Sequence, residues 1–161
     1  MTLDRAAIEA LYRSHGHVVL RRARAILGSD TDAEEALHEV FAALLRSPDA
    51  LRTGTPVSWL YAATTHHCLN TLRNRRTGAR LVDARLQPAQ PESEGPRAEA
   101  SAEVRQLLAS LPAEVAAAVV YHHLDGMTHA EVADQLGCSR RQVGYLLERA
   151  SQHVDRAERI A

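Results

Sequence analysis

Apolar residues recur with a helical period along almost the whole chain, and this narrows the possible folds more than any other feature. The clearest stretch reads Ala33, Ala36, Leu37, Val40, Phe41, Leu44 and Leu45, an unbroken i, i+3, i+4, i+7 series that makes one core-facing stripe. An earlier stripe holds Ile8, Leu11, Tyr12, Val18, Val19, Ala23, Ile26 and Leu27, after which Gly28 offers a left-handed stop. Thr31, with Glu34 reaching back, reads as the capping box that opens the second helix. A polar connection from Arg46 to Thr55 follows. Pro56 then suits the first turn of a third helix through Leu60, Tyr61, Thr64, Cys68, Leu69 and Leu72 to about Arg76. Strand-like alternation is nearly absent, so the fold expected is all-α.

Between Thr77 and Ala100 the pattern dissolves into Pro88, Pro91, Gly95 and Pro96 among Gln, Glu and Ser, the composition of an extended linker. Helices resume from Ser101. Val104, Leu107, Leu108 and Leu111 share one face, and Pro112 starts a helix through Val115, Val119 and Val120 to Gly126. Two closely spaced helices follow, opened by Thr128 with Glu131 and by Ser139 with Gln142. The organisation expected is a three-helix domain over 1–76, a linker over 77–100 and a four-helix domain over 101–161.

Composition excludes several classes. The 161 residues carry 19 basic side chains, all arginine, against 20 acids, so the chain is no polycation that coats nucleic acid indiscriminately. Two cysteines, Cys68 and Cys138, rule out a disulfide scaffold and suit a reducing compartment. The longest apolar run, Val115 to Tyr121, falls far short of the ~20 residues needed to span a bilayer. The N-terminus opens directly into a charged amphipathic pattern. A cytoplasmic protein without membrane insertion is expected.

The residues from Thr128 to Arg149 read as a helix-turn-helix. Val132 and Leu136 face the core, Ala133 is small where the second helix approaches, Gly137 takes the turn, and Val143 and Leu146 face back onto the first helix. Arg140, Arg141, Gln142, Tyr145 and Arg149 are left outward at the start of the second helix, the part of such motifs that enters the major groove. Arginine bonds guanine bidentately and glutamine does so with adenine, while the capped helix starts at Thr128 and Ser139 offer N–H groups to phosphate. Duplex DNA is the ligand that this set fits.

Charge is segregated although the total is near zero. Residues 30–46 hold five acids (Asp30, Asp32, Glu34, Glu35, Glu39) against Arg46, a net of −4. Residues 70–86 hold Arg73, Arg75, Arg76, Arg80 and Arg85 against Asp83, a net of +4. Helix-dipole complementation explains part of this and not the excess. Two partners on two faces are expected, a protein at the acidic helix and phosphate at the basic one.

The segment Asp32-Ala-Glu-Glu-Ala-Leu-His-Glu-Val-Phe41 resembles the acidic helix of bacterial sigma factors of the extracytoplasmic-function type. Trp59-Leu-Tyr61 and Leu69-Asn-Thr-Leu-Arg73 resemble their promoter-melting helix. Leu111-Pro112, Leu124-Asp-Gly-Met-Thr128 and Glu131-Val-Ala-Asp-Gln-Leu-Gly137 are similar to their C-terminal helix-turn-helix domain, so the likeness covers roughly residues 8 to 157. The resemblance implies a factor that binds core RNA polymerase and directs it to promoters. Asp32, Glu34, Glu35, His38 and Glu39 would meet the clamp coiled coil of the largest polymerase subunit. Arg52, Trp59, His66, Asn70, Arg73, Arg75 and Arg76 would hold the separated strand of the minus-ten element. Thr128, Ser139, Arg140, Arg141, Gln142, Tyr145 and Arg149 would read the minus-thirty-five element as duplex. Glu92 and Glu94 would thread with the linker towards the active-site and RNA-exit region. An anti-sigma protein is the regulatory partner that the resemblance implies.

The chain departs from that pattern at identifiable places. His66 stands where Asn is usual and His38 where Gln is frequent, while Arg141-Gln-Val-Gly-Tyr-Leu146 replaces the common Gly-Thr-Val-Lys-Ser-Arg. Gly144 inside a helix costs about 1 kcal/mol relative to Ala and opens the way to close backbone approach to DNA. No metal or other cofactor is expected: His66-His67-Cys68 and His122-His123 are neighbours that point about 100° apart on a helix, and no Cys-x-x-Cys or His-x-x-x-His occurs. No phosphate-cradling glycine loop, nucleophile elbow or paired carboxylate in an apolar setting suggests an enzyme. The competing reading is a one-component regulator, whose first domain would need a signal-binding pocket.

Overall fold

A computed structural model of the protein describes residues 3–51, 55–81 and 102–160. These form seven α-helices and no strand: α1 (Arg5–Leu27), α2 (Asp30–Arg46), α3 (Pro56–Leu81), α4 (Ala102–Ser110), α5 (Ala113–Val119), α6 (His129–Leu136) and α7 (Arg140–Ile160). A short 3₁₀ helix, Pro48–Leu51, follows α2, and a π turn, Val120–Leu124, follows α5. Two compact units result, one over the described residues up to Cys68 and the other over Leu69–Leu81 with those from Ala102 onward.

In the front unit, Asp4 caps α1 by accepting the Ala7 N–H at 2.8 Å, and Gly28 ends it with φ 70° and an N–H bond to the Arg24 carbonyl. The connection to α2 is therefore tight, and the two helices form a hairpin. Ser29, and not Thr31, caps α2: its hydroxyl accepts the Asp32 N–H at 3.4 Å. With Gly28 turning the chain at once, the helix begins at Asp30 and Thr31 already lies inside its first turn.

Ile8, Val19, Leu37, Val40, Phe41, Leu44 and Leu60 form the core of this unit, with Trp59, Ala50 and Leu51 against its edge. Each large apolar side chain buried there contributes roughly 1.5–3 kcal/mol. Two members of the expected stripes stay out. Tyr12 is 41% and Leu45 is 53% exposed, because each sits at the margin of its helical face beyond the width that the partner helix covers. Thr55 opens α3 by accepting the Ser58 N–H at 3.2 Å, and Pro56 follows as its first residue.

A polar node lies within this packing. Arg22 of α1 is buried; its Nε donates to Thr65 Oγ1 at 2.8 Å and its Nη1 to the Tyr61 hydroxyl at 2.8 Å. The guanidinium also lies over the Tyr61 ring, 3.9 Å from its centre. Thr65 passes its own proton to the Tyr61 carbonyl at 2.8 Å, so the hydroxyl both accepts and donates.

The helix α3 continues to Leu81, five residues beyond the end that the pattern suggests. The arginines of this stretch are good helix formers, the Thr77 hydroxyl bonds back to the Arg73 carbonyl at 3.1 Å, and the single Gly78 costs only about 1 kcal/mol. Positions 82–100 of the expected linker, Glu92 and Glu94 included, lie outside the described residues, as does Arg52.

In the second unit Leu108, Leu111, Val115, Val120, Tyr121, Val132, Val143 and Leu146 are buried, with Ala116, Ala118 and Ala133 where helices approach closely. Ser110 at the end of α4 ties to His153 of α7 at 2.9 Å. The helix that starts after Pro112 does not run as α-helix to Gly126. It widens after Val119 into the π turn, closed by an Asp125 N–H bond to the Val120 carbonyl at 3.1 Å. His122 Nδ1 lies 2.8 Å from the Met127 carbonyl and donates to it, which holds the turn against the start of α6.

Candidate functional site

The helix-turn-helix is assembled from α6 and α7 with each element capped. The Thr128 hydroxyl accepts the Glu131 N–H at 3.2 Å, and the Glu131 carboxylate accepts the Thr128 N–H at 2.7 Å, a complete capping box. Gly137 takes φ 69°, and Cys138 N–H closes onto the Ala133 carbonyl at 3.0 Å. The Ser139 hydroxyl accepts the Gln142 N–H at 3.1 Å, so Ser139 caps α7. Val143, Leu146 and Ala150 are buried, and they fix which side of α7 faces outward.

That outward side carries Arg140, Arg141, Gln142, Tyr145 and Arg149, all exposed, with Tyr145 at 58%. At about 100° per residue, Arg141, Tyr145, Arg149 and Gln142 span about 100° of arc, and Arg140 borders it. The surface thus presents guanidinium forks, an amide and a phenol in one strip, beside two helix starts at Thr128 and Ser139. Arginine forks and amides match base edges, and capped N-termini match phosphates.

Along α3, Trp59, His66, Asn70 and Arg73 recur at intervals of seven, four and three, which keeps them within about 60° of arc on the helix. His66 is exposed and the other three are half-buried. Arg73 Nη1 donates to Asn70 Oδ1 at 3.3 Å, which orients that amide. Arg76 lies about 100° from Trp59 around the helix, and the exposed Arg75 faces about 160° away. The helix therefore aligns four of the expected strand-binding residues and sets Arg75 on another face.

On α2, Glu34, Glu35, His38 and Glu39 are all exposed and follow one another at helical spacing opposite the buried Ala33, Ala36, Leu37, Val40 and Phe41. Asp32 is half-buried at the head of the same helix. Glu39 approaches Arg46 only to 4.0 Å with both side chains largely exposed, so the face keeps its negative charge.

An open apolar hollow of about 290 Å³ adjoins it, lined by Ile8, Tyr12, His38, Phe41 and Leu45 among others. Tyr12 packs edge-on to Phe41 with ring centres 5.1 Å apart. Periodicity assigned Tyr12 and Leu45 to the core and so missed this feature; their places at the margins of the stripes were the available signal. His38 belongs both to the acidic face and to the hollow.

Burial pushes the Cys68 thiol up to about 12, with Arg22 opposing and Asp32 adding, which makes it an inert core residue. His67 is held below the ordinary imidazole range, chiefly by burial, with Glu39 pulling it up and His66 pushing it down. The rings of His122 and His123 lie 4.8 Å apart and those of His122 and His129 5.0 Å apart, edge to face. Among the described residues no group of three His, Cys, Asp or Glu is arranged to hold a metal ion, and no helix is long and apolar enough to cross a membrane.

Known proteins share this arrangement. The family model for sigma-70 region 2 matches residues 11–77, and that for sigma-70 region 4 matches residues 101–154. The ECF RNA polymerase sigma factor SigE of Mycolicibacterium smegmatis is 32% identical over 162 residues, covering 95% of this chain and 63% of the relative. The ECF RNA polymerase sigma factor SigM of Mycobacterium tuberculosis is 29% identical over 155 residues, covering 95% of this chain and 78% of its own. The chain thus spans less than two thirds of the length of SigE. Among solved structures, the sigma factor RpoE, in complex with the anti-sigma factor NepR from Bartonella quintana, matches in fold with a TM-score of 0.54 at 15% identity, over 94% of this chain and 96% of that one.

Proposed function

The chain belongs to the sigma-70 family, in its extracytoplasmic-function group, and from that premise we propose that it binds core RNA polymerase and directs initiation at specific promoters. It acts in the cytoplasm as a non-enzymatic factor. Residues 1–76 form the polymerase-binding and melting domain, 77–100 the linker, and 101–161 the duplex-reading domain.

The observation that carries this reading is the exposed acidic face of α2. Glu34, Glu35, His38 and Glu39 point outward, and the hollow beside them is an open groove, whereas a one-component regulator needs an enclosed signal pocket. A basic coiled-coil surface of the polymerase fits it by charge, and the apolar groove supplies the desolvated centre that a stable interface needs. Trp59, His66, Asn70 and Arg73 hold unpaired bases of the minus-ten element, with Arg52, Arg75 and Arg76 on its phosphates. The α7 strip reads the minus-thirty-five element. An anti-sigma protein, of the kind that the RpoE neighbour binds, restrains the free factor.

Reconstitution tests the proposal. The purified chain, added to core polymerase, should give promoter-specific transcripts in run-off assays on genomic fragments. Reversing Glu34, Glu35 and Glu39 to arginine should abolish association with core, and leave helix content unchanged. Tight, sequence-specific binding of the chain alone to isolated duplex at physiological salt, without core association, would mark a one-component regulator instead.

A further inference from the structure

Gly144 stands in the middle of α7, where glycine is the least favourable choice short of proline, and the fold gives no reason for it. Among the described residues the glycines with positive φ are Gly28, Gly126 and Gly137, so Gly144 has a backbone that any residue adopts. A methyl group built on its Cα would meet nothing within 4 Å. Neither conformation nor packing asks for glycine, and alanine would strengthen the helix. The reason must then lie in what α7 binds.

Its place on the helix says what that is. Gly144 is three residues after Arg141 and four after Arg140, which puts it about 60° from Arg141, between the two arginines in arc and next to Tyr145 in sequence. The missing side chain leaves a notch in the strip that faces outward. N–H groups at mid-helix are used in the helix's own hydrogen bonds, so close approach here recruits no donor for a phosphate. What the notch offers is bare Cα–H surface, and the apolar group that the major groove presents is the C5-methyl of thymine.

We propose that Gly144 is a specificity-determining residue, whose notch seats a thymine methyl of the minus-thirty-five duplex between base contacts from Arg141 and Tyr145. This rests on the duplex-reading role given above to α7.

Selection from duplexes randomised over ten base pairs of the upstream element, using core polymerase reconstituted with this chain, tests it. The wild type should enrich a sequence with thymine at one fixed position. Gly144→Ala should melt at a higher temperature than wild type and yet bind the selected duplex at least tenfold more weakly in the holoenzyme. Replacing that thymine by deoxyuridine, which deletes only the methyl, should weaken wild-type binding several-fold and leave Gly144→Ala unaffected. Equal affinity of Gly144→Ala and wild type, or indifference of the wild type to deoxyuridine, overturns the proposal while the duplex reading stands. A wild-type holoenzyme that enriches no upstream sequence overturns both.

Discussion

Arg22→Ala should unfold the front unit far more readily than Arg22→Met, because the buried guanidinium contributes more by filling space than by its charge. The side chain makes two hydrogen bonds of 2.8 Å, to Thr65 and Tyr61, and lies 3.9 Å over the Tyr61 ring. Hydrogen bonds from a charged donor contribute about 1.5–3 kcal/mol each, and the ring contact about 0.5–2 kcal/mol. Against these stands the cost of taking a guanidinium out of water, effectively several kcal/mol. The polar terms therefore nearly cancel.

Neither partner is stranded by the loss, since Thr65 keeps its bond to the Tyr61 carbonyl and Tyr61 is only half-buried. Methionine fills most of the stem's volume, so its cost should be about 1 kcal/mol or less. Alanine leaves a void between α1 and α3, and a large-to-small change of this kind costs about 2–5 kcal/mol. For a unit of this size, each kcal/mol lowers the melting temperature by about 4–8 °C. Urea titration followed by circular dichroism, with calorimetry on the full chain, measures both variants. Equal destabilisation by the two would refute the reasoning, because only a dominant charge contribution treats methionine and alanine alike.

Thr128→Ala removes one half of the α6 capping box and should cost about 1 kcal/mol in the second unit, read from the same titrations. At pH 8 a thiol-reactive dye should label Cys138 in the native protein and Cys68 only as the front unit unfolds, since Cys68 is fully buried and its thiol is pushed up to about 12. Because the folded state holds His67 below its ordinary range, the unfolded chain takes up the proton first. Front-unit stability should therefore fall as the pH drops below about 6.5, and His67→Gln should flatten that slope. Arg141→Ala should weaken holoenzyme binding to its selected duplex by about 1–3 kcal/mol if it contacts a base, with the loss confined to sequences bearing that base.

Much of this architecture was legible in residue spacing, and what was not has physical causes. The three-helix and four-helix pattern, the Gly28 and Gly137 stops and the Thr128 box follow from periodicity and local hydrogen bonding, which the chain carries within a few residues. The cap at Ser29 was missed because Thr31 offers an equally good local signal, and only the tight turn at Gly28 decides between them. Arg22 was illegible for a different reason. An arginine in an amphipathic helix reads as surface, and its burial depends on Tyr61 and Thr65, about forty positions away. Tyr12 and Leu45 show the limit of a stripe: period gives direction, and the width of the partner helix decides what is covered.

The π turn at Val120–Leu124 holds one residue more than an α-helical turn would, locked by the Asp125–Val120 bond. Deleting one residue there would let the segment rewind as ordinary helix and swing all that follows by about 100°. The valines and leucines of α6 and α7 that meet α5 would then be aimed at water. Chain length at this point is consequently a phase setting for the recognition helix, so single-residue gaps should be lethal where substitutions at His122 or His123 are borne.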